Sequence, residues 1–177
     1  MRKAIITIAL TLCLTATAKA DTAWVTAEEG LRLREKPSLE AEIIEVLPFG
    51  EKVSGITADG WMETQNGFLC ADYLSDTDPT SDWIPMGEWR CTAYSWTGYR
   101  CANGEWPTAG YTIACNSLDF GTKVYISGIG FRTVCDRGPQ WLGSEWCDVY
   151  MNSVGECIQW GSQTRSVWII PTETEIP

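Results

Sequence analysis

The sequence predicts a mostly β protein of two small units joined by a short tether, with one short helix in the second unit. Three observations carry this. Short runs with apolar–polar alternation or β-branched residues recur along residues 23–74 and 86–171. Clusters of Gly, Pro, Asn and Asp separate them. A single stretch, 152–161, carries both a helix start and a helix stop.

The chain begins with "MRKAIITIALTLCLTATAKA". Arg2 and Lys3 precede an apolar run from Ala4 to about Ala16, and Ala18-Lys19-Ala20 closes it. This pattern is that of a secretory signal peptide over residues 1–20. Its apolar run is short for a membrane span. The expected location is therefore outside the cell, with no membrane contact after cleavage. Removing Arg2, Lys3 and Lys19 takes the 13 basic residues to 10 against 23 acidic ones, a net of −13. Such a chain is repelled by nucleic acid and by anionic membrane surfaces, so neither is expected as a partner.

Residues 23–74 hold Leu31-Arg32-Leu33-Arg34, Ile43-Ile44-Glu45-Val46-Leu47 and Lys52-Val53-Ser54-Gly55-Ile56. Turn signals at Lys36-Pro37-Ser38, Pro48-Phe49-Gly50, Ala58-Asp59-Gly60 and Gln65-Asn66-Gly67 divide them. This spacing predicts a small all-β barrel. Residues 75–85, "SDTDPTSDWIP", are acidic and rich in Pro, Ser and Thr, and predict a solvated tether. The spacing of Asp76, Asp78 and Asp82 does not make a calcium loop, because Pro79 stands at the glycine position.

Residues 86–171 hold most of the tryptophans, and six of the seven cysteines that follow Cys13. Strands are predicted at 111–115, 122–127, 131–135, 147–151 and 165–170. The helix is predicted over Asn152–Gly161, capped by Asn152 or Ser153, with Glu156 near its third position and Gly161 at its end. Val154, Cys157, Ile158 and Trp160 would form its apolar face. Residues 172–177 are a tail.

The chain contains no histidine. That removes Ser-His-Asp and Cys-His hydrolases and His-ligated metals. With no Cys-x-x-Cys and no glycine-rich phosphate loop, neither metal nor cofactor is expected. Chemistry must then run on carboxylates, amides and hydroxyls, and glycoside cleavage is the main reaction class that does so. Asp136 and Asp148 suit it. Each directly follows a cysteine, and each lies on or beside a predicted strand. Strand neighbours point to opposite faces. If both aspartates face a cleft, Cys135 and Cys147 face the core behind it, and a Cys135–Cys147 disulfide would lock the spacing of the acids. Cys91–Cys101 closes a short loop and Cys115–Cys157 then remains, although six cysteines allow fifteen connectivities. Cys70 would be the odd thiol. Tyr94, Trp96, Trp106, Trp141 and Trp146 lie in loop-like stretches where indole and phenol faces can stack on sugars. Trp141 and Trp146, between the two aspartates, are the expected glycan platform. Trp89, Trp160 and Trp168 are expected in the core.

Two resemblances sharpen this. Leu31-Arg32-Leu33-Arg34 with Pro37-Ser38, then Gly50-Glu51-Lys52-Val53, Gly60-Trp61, Gly67-Phe68-Leu69 and Tyr73-Leu74, resemble a bacterial SH3 domain. That resemblance implies wall targeting. Cys91-Thr92-Ala93-Tyr94, Gly110–Asn116, Phe120–Ile126, Thr133-Val134-Cys135-Asp136-Arg137-Gly138, Cys147-Asp148-Val149-Tyr150, Gln159-Trp160-Gly161 and Val167-Trp168-Ile169-Ile170 resemble the three-aspartate (3D) domain. Its fold is a six-stranded double-psi β-barrel, related to the barrel of membrane-bound lytic transglycosylase A and of stationary-phase-survival muralytic proteins.

The second resemblance implies that Asp148 is the acid. It would protonate the glycosidic oxygen and then take the proton of the muramyl 6-hydroxyl as that oxygen closes a 1,6-anhydro ring. Asp136 would tune it and bind sugar hydroxyls. The first of the family's three aspartates is replaced here by Asn116, and Asp119 stands three residues on. Both are expected to touch substrate. The expected function is a monomeric lytic transglycosylase acting on peptidoglycan glycan strands. The alternatives are a hydrolase of the same bond, a wall- or glycan-binding protein without catalysis, and a secreted inhibitor or effector.

Overall fold

The computed structural model describes residues 20–171. The signal peptide expected at 1–20, with Cys13, lies outside the described residues but for Ala20, and the 172–177 tail lies wholly outside them. Seven short strands build the first unit: β1 (Asp21–Val25), β2 (Leu31–Arg34), β3 (Ile43–Leu47), β4 (Lys52–Ala58), β5 (Trp61–Glu63), β6 (Phe68–Cys70) and β7 (Leu74–Ser75). They form one antiparallel sheet in the order β3-β2-β6-β5-β4-β1-β7. Among the described residues no pairing joins its edges β3 and β7. The unit is thus an open sheet, where the sequence predicts a small barrel. Alternation places Val25, Leu31, Leu33, Val53, Met62 and Leu69 on its buried face. Asp59 and Gly60, at φ 51° and 78°, make the two-residue hairpin between β4 and β5. Both central positions need positive φ, which Asp tolerates and Gly adopts freely.

The second unit is a closed mixed barrel. Its strands are β8 (Ile84–Tyr94), β9 (Thr112–Ala114), β10 (Lys123–Ile126), β11 (Gly130–Asp136), β12 (Trp146–Tyr150) and β13 (Gln163–Ile169). They close in the order β10-β11-β9-β12-β8-β13. β9 with β11 and β8 with β12 run parallel; the other neighbours run antiparallel. Inward positions fill the interior with Trp89, Cys91, Ile113, Cys115, Val124, Ile126, Val134, Cys147, Val149 and Val167. Trp89 is therefore core, as expected. Trp160 packs against that core and donates from Nε1 to the Cys91 carbonyl at 3.2 Å. Trp168 is half-buried outside it, 5.9 Å from the Tyr125 ring.

The tether is less solvated than its composition suggests. Ile84 and Pro85 already belong to β8. Trp83 stacks flat on Phe49 of the first unit at 5.5 Å and meets Phe131 edge-on at 5.8 Å, with Tyr125 at 5.1 Å. Aromatic pairs in these geometries add to the area they bury. This cluster joins the two units.

The helix, α1 (Val154–Trp160), is shorter than its predicted span but is capped as predicted. Ser153 Oγ accepts from Glu156 N at 3.2 Å, and Glu156 Oε2 accepts from Asn152 N at 3.1 Å. Gly161 ends it at φ 66°. Its apolar face differs from expectation. The Trp160 anchor sets the roll of the helix, so Val154 and Ile158 stand 64% and 76% exposed.

The cysteines also depart from the sequence reading. All seven described cysteines are free thiols, and none of the pairs Cys91–Cys101, Cys135–Cys147 or Cys115–Cys157 is bonded. Cys147 instead lies beside Cys91, its register partner across β12 and β8, with 3.2 Å between sulfurs. Cys135 does not share that interior. The register between β11 and β9 slips between Val134 and Asp136, so Cys135 is a bulge residue. It is buried among Thr112, Glu105 and Cys101, and burial pushes its thiol up to about 11. Oxidative refolding of the protein should therefore join Cys91 to Cys147. Peptide mapping by mass spectrometry checks this, and a Cys135–Cys147 cross-link would contradict it.

Candidate active site

The bulge at Cys135 has a functional consequence. It restores Asp136 to the outward phase, opposite Ala114 of β9. Ala114 in turn pairs with Asp148 of β12, and Asp148 with Thr92 of β8. Lateral partners in a sheet point the same way. Asp136, Ala114, Asp148 and Thr92 thus form one row across four adjacent strands, on the face turned away from the barrel interior. The two aspartates are two strand spacings apart, about 10 Å between Cα atoms. The strand position between them is held by Ala114, itself 3% exposed.

The two carboxylates have different surroundings. Asp136 accepts three hydrogen bonds: from Ala102 N at 2.9 Å, Arg137 N at 2.8 Å and the Tyr94 hydroxyl at 3.2 Å. Ala102 belongs to the turn Cys101–Glu105, which is pinned over the end of β11 by a further bond from Asn103 N to the Cys135 carbonyl at 3.1 Å. Burial, and secondarily the charge of Asp136, raises the Tyr94 phenol, so it remains a protonated donor.

Asp148 has one donor. Thr92 Oγ1 donates to its Oδ1 at 2.9 Å, and Trp146 Nε1 donates to the same Thr92 oxygen at 3.0 Å. An indole N–H can only donate, so the Thr92 hydroxyl accepts from it and turns its own hydrogen to Asp148. Burial raises the Asp148 pKa above the usual carboxylate range; the Thr92 bond opposes this and the Asp136 charge adds to it. Asp136 is held by three hydrogen bonds, while burial biases Asp148 toward the protonated form. Paired acids with divergent environments are the pattern of general acid–base catalysis.

The other predicted site residues divide. Tyr94 reaches the site directly. Asn116 spends its side chain on backbone, with Oδ1 accepting from Gly138 N at 3.0 Å and Nδ2 donating to the Pro139 carbonyl at 3.1 Å. It holds the turn after Asp136. Asp119 is exposed in the 119–122 turn, where its carbonyl accepts from Thr122 N. Trp141 is open, 81% exposed. Trp146, expected as part of a sugar platform, is instead 4% exposed and begins β12. Its ring packs on Gly138, where an added Cβ would lie 2.3 Å from the indole. With its faces covered, Trp146 orients Thr92 and cannot stack on a sugar. Trp96 and Trp106 lie 5.3 Å apart and are half-exposed, with the Arg100 guanidinium 4.3 Å from the Trp106 ring. Both are on the loop that supplies Ala102.

Sequence reasoning gave no role to Thr92 or Arg137. Thr92 was legible in part, since it alternates with the apolar Cys91. Its partner was not, because β8 and β12 are far apart in sequence. Arg137 donates to the Cys115 carbonyl at 2.6 Å and lies 3.7 Å over the Phe120 ring, which ties the end of β9 to the turn that follows Asp136.

Among the described residues, no group of three or more His, Cys, Asp or Glu side chains is arranged to hold a metal, and no helix is long and apolar enough to cross a membrane. Neither the models of known protein families nor the curated proteins give a match to this chain.

Proposed function

We propose that the protein is a secreted, peptidoglycan-active enzyme that cleaves glycan strands as a lytic transglycosylase, with the first unit as an SH3-like wall-targeting module. The observation that carries the reading is the row Asp136–Ala114–Asp148–Thr92, with Asp148 biased toward the protonated acid. Asp148 protonates the glycosidic oxygen. Once ionised, it takes the proton from the muramyl 6-hydroxyl as that oxygen attacks the anomeric carbon, and a 1,6-anhydro ring closes without water. Asp136, fixed by three donors, holds sugar hydroxyls and keeps a negative charge near the positive charge that develops on the ring. The closed six-stranded barrel with two parallel pairs supports the double-psi reading of the second unit. The exposed Trp96, Trp106 and Trp141 support glycan stacking.

The test is mass spectrometry of soluble products after the mature protein is mixed with purified peptidoglycan. Anhydro-muropeptides are expected. Reducing-end products would instead make it a hydrolase of the same bond. A second reading, a glycan-binding protein without catalysis, is favoured by Asn116, whose amide is occupied by the 138–139 turn. It predicts that the protein pellets with the wall and releases nothing.

The Thr92 bond yields a further expectation. It lowers the Asp148 pKa, so Thr92→Val raises it further. The acid then stays protonated to higher pH, and the alkaline limb of the kcat/KM profile moves up. A limb that stays put or moves down would remove Asp148 as the titrating acid.

A further inference from the structure

A cavity of about 580 Å³ opens at the mouth of the barrel away from the acid row. Its walls include Ile129, Arg132, Met151, Gln159, Trp160 and Gln163. Arg132 lies two residues before the inward Val134 on β11, and Arg165 two residues before the inward Val167 on β13. Strand alternation therefore turns both side chains inward at this end of the barrel, where Arg132 lines the cavity and Arg165 lies behind two of its lining residues. Arg165 stands 3.2 Å from where a Cβ on Gly128 would be, and 5.5 Å from the Trp160 ring centre; both residues line the cavity.

Neither arginine has the partner that its burial calls for. The Nε atoms of Arg132 and Arg165 are buried and unbonded, and they are the two such side-chain atoms among the described residues. Arg132 donates only to its own neighbour, the Phe131 carbonyl, and Arg165 to Gln163 Oε1. The one acid on the wall, Glu156, is occupied with Asn152 N. A buried guanidinium Nε–H without an acceptor is unfavourable, and here it occurs twice, in an otherwise acidic chain. A planar fork matches a carboxylate edge-on. Ile129, Met151 and Trp160 offer apolar wall to an organic body behind it. The volume lies within the range of small-molecule sites.

We propose that this mouth is a binding site for a small organic molecule bearing a carboxylate, gripped by the fork of Arg132 and held in place by the charge of Arg165 behind Gly128 and Trp160. The site is distinct from the acid row: Arg132 and Asp136 stand at opposite ends of β11. It does not depend on the proposed glycan cleavage.

The test follows the arginine Nε–H resonances of ¹⁵N-labelled mature protein by NMR. The probes are N-acetyl-alanyl-alanine, its C-terminal amide and inorganic phosphate. The peptide acid is expected to shift the Arg132 and Arg165 signals saturably, with the amide at least tenfold weaker. Arg132→Gln should weaken the acid at least tenfold without lowering the melting temperature, since it removes a buried Nε–H without an acceptor. Arg132→Lys keeps the charge and loses the fork, and should weaken the acid too if the glutamine variant fails to fold. The proposal is overturned by no saturable shift with the acid, by equal binding of acid and amide, by phosphate binding as tightly as the acid, or by binding that survives in both variants.

Discussion

Asp148→Asn is expected to reduce release of soluble glycan products about 10²–10⁴-fold, the usual worth of a positioned general acid, while leaving wall binding intact. Asparagine keeps the shape and can still accept from Thr92 Oγ1, so the row Asp136–Ala114–Asp148–Thr92 has no steric reason to move. What is lost is the transferable proton. The same change should raise stability at neutral pH. The folded-state pKa of Asp148 is raised by burial, so folding favours its protonated form. Such a group costs stability as pH rises from the unfolded value through the folded one, and the cost is complete above the folded pKa. Asparagine removes it. The gain in melting temperature should be largest at neutral pH and vanish as pH falls through the pKa of an unfolded aspartate, about 3.9. A variant that loses activity while becoming more stable identifies a site where burial serves the reaction at the expense of the fold. Products at the wild-type rate would remove Asp148 as the acid, and a fall in neutral-pH stability would contradict the burial account.

The parts of this molecule that were legible from sequence are those set by local pattern. The helix cap at Ser153 with Glu156 follows from spacing alone, as do the Asp59-Gly60 hairpin and the β-branched strands β10 and β11. β8 was hidden because Pro85 and Gly87 interrupt it. The sheet tolerates Pro85 because that end of β8 pairs with β13 alone, β12 meeting it only from Arg90 onward. The two acids were legible as a pair, and alternation placed Cys147 behind Asp148. The same rule failed one strand away, since a bulge is invisible to a period of two. That single inserted residue, Cys135, moved a thiol out of the interior and overturned the expected disulfides. Lateral order was beyond reach as well. Only the non-local sequence of strands β11-β9-β12-β8 shows that Ala114 separates the acids and that Thr92 adjoins Asp148.

Trp89→Ala should cost about 3–5 kcal/mol, the range for emptying a large aromatic site. Trp89 is 2% exposed and packs with Cys91, Val167 and the other inward residues, and its Nε1 donates to the Met86 carbonyl at 3.2 Å. Inside a closed barrel the surrounding strands are held in register on both sides, so collapse onto the void is limited. At about 4–8 °C per kcal/mol for a domain of this size, the barrel should melt more than about 10 °C lower by circular dichroism. Trp141→Ala provides the contrast. Trp141 is 81% exposed, so its removal should leave the melting temperature within a few degrees and weaken retention on the wall instead. The two indoles are chemically alike. A stability loss confined to Trp89 and a binding loss confined to Trp141 would tie each effect to location, inside the barrel or on the surface. If Trp89→Ala melted with the wild type, the barrel interior would not be the source of this unit's stability.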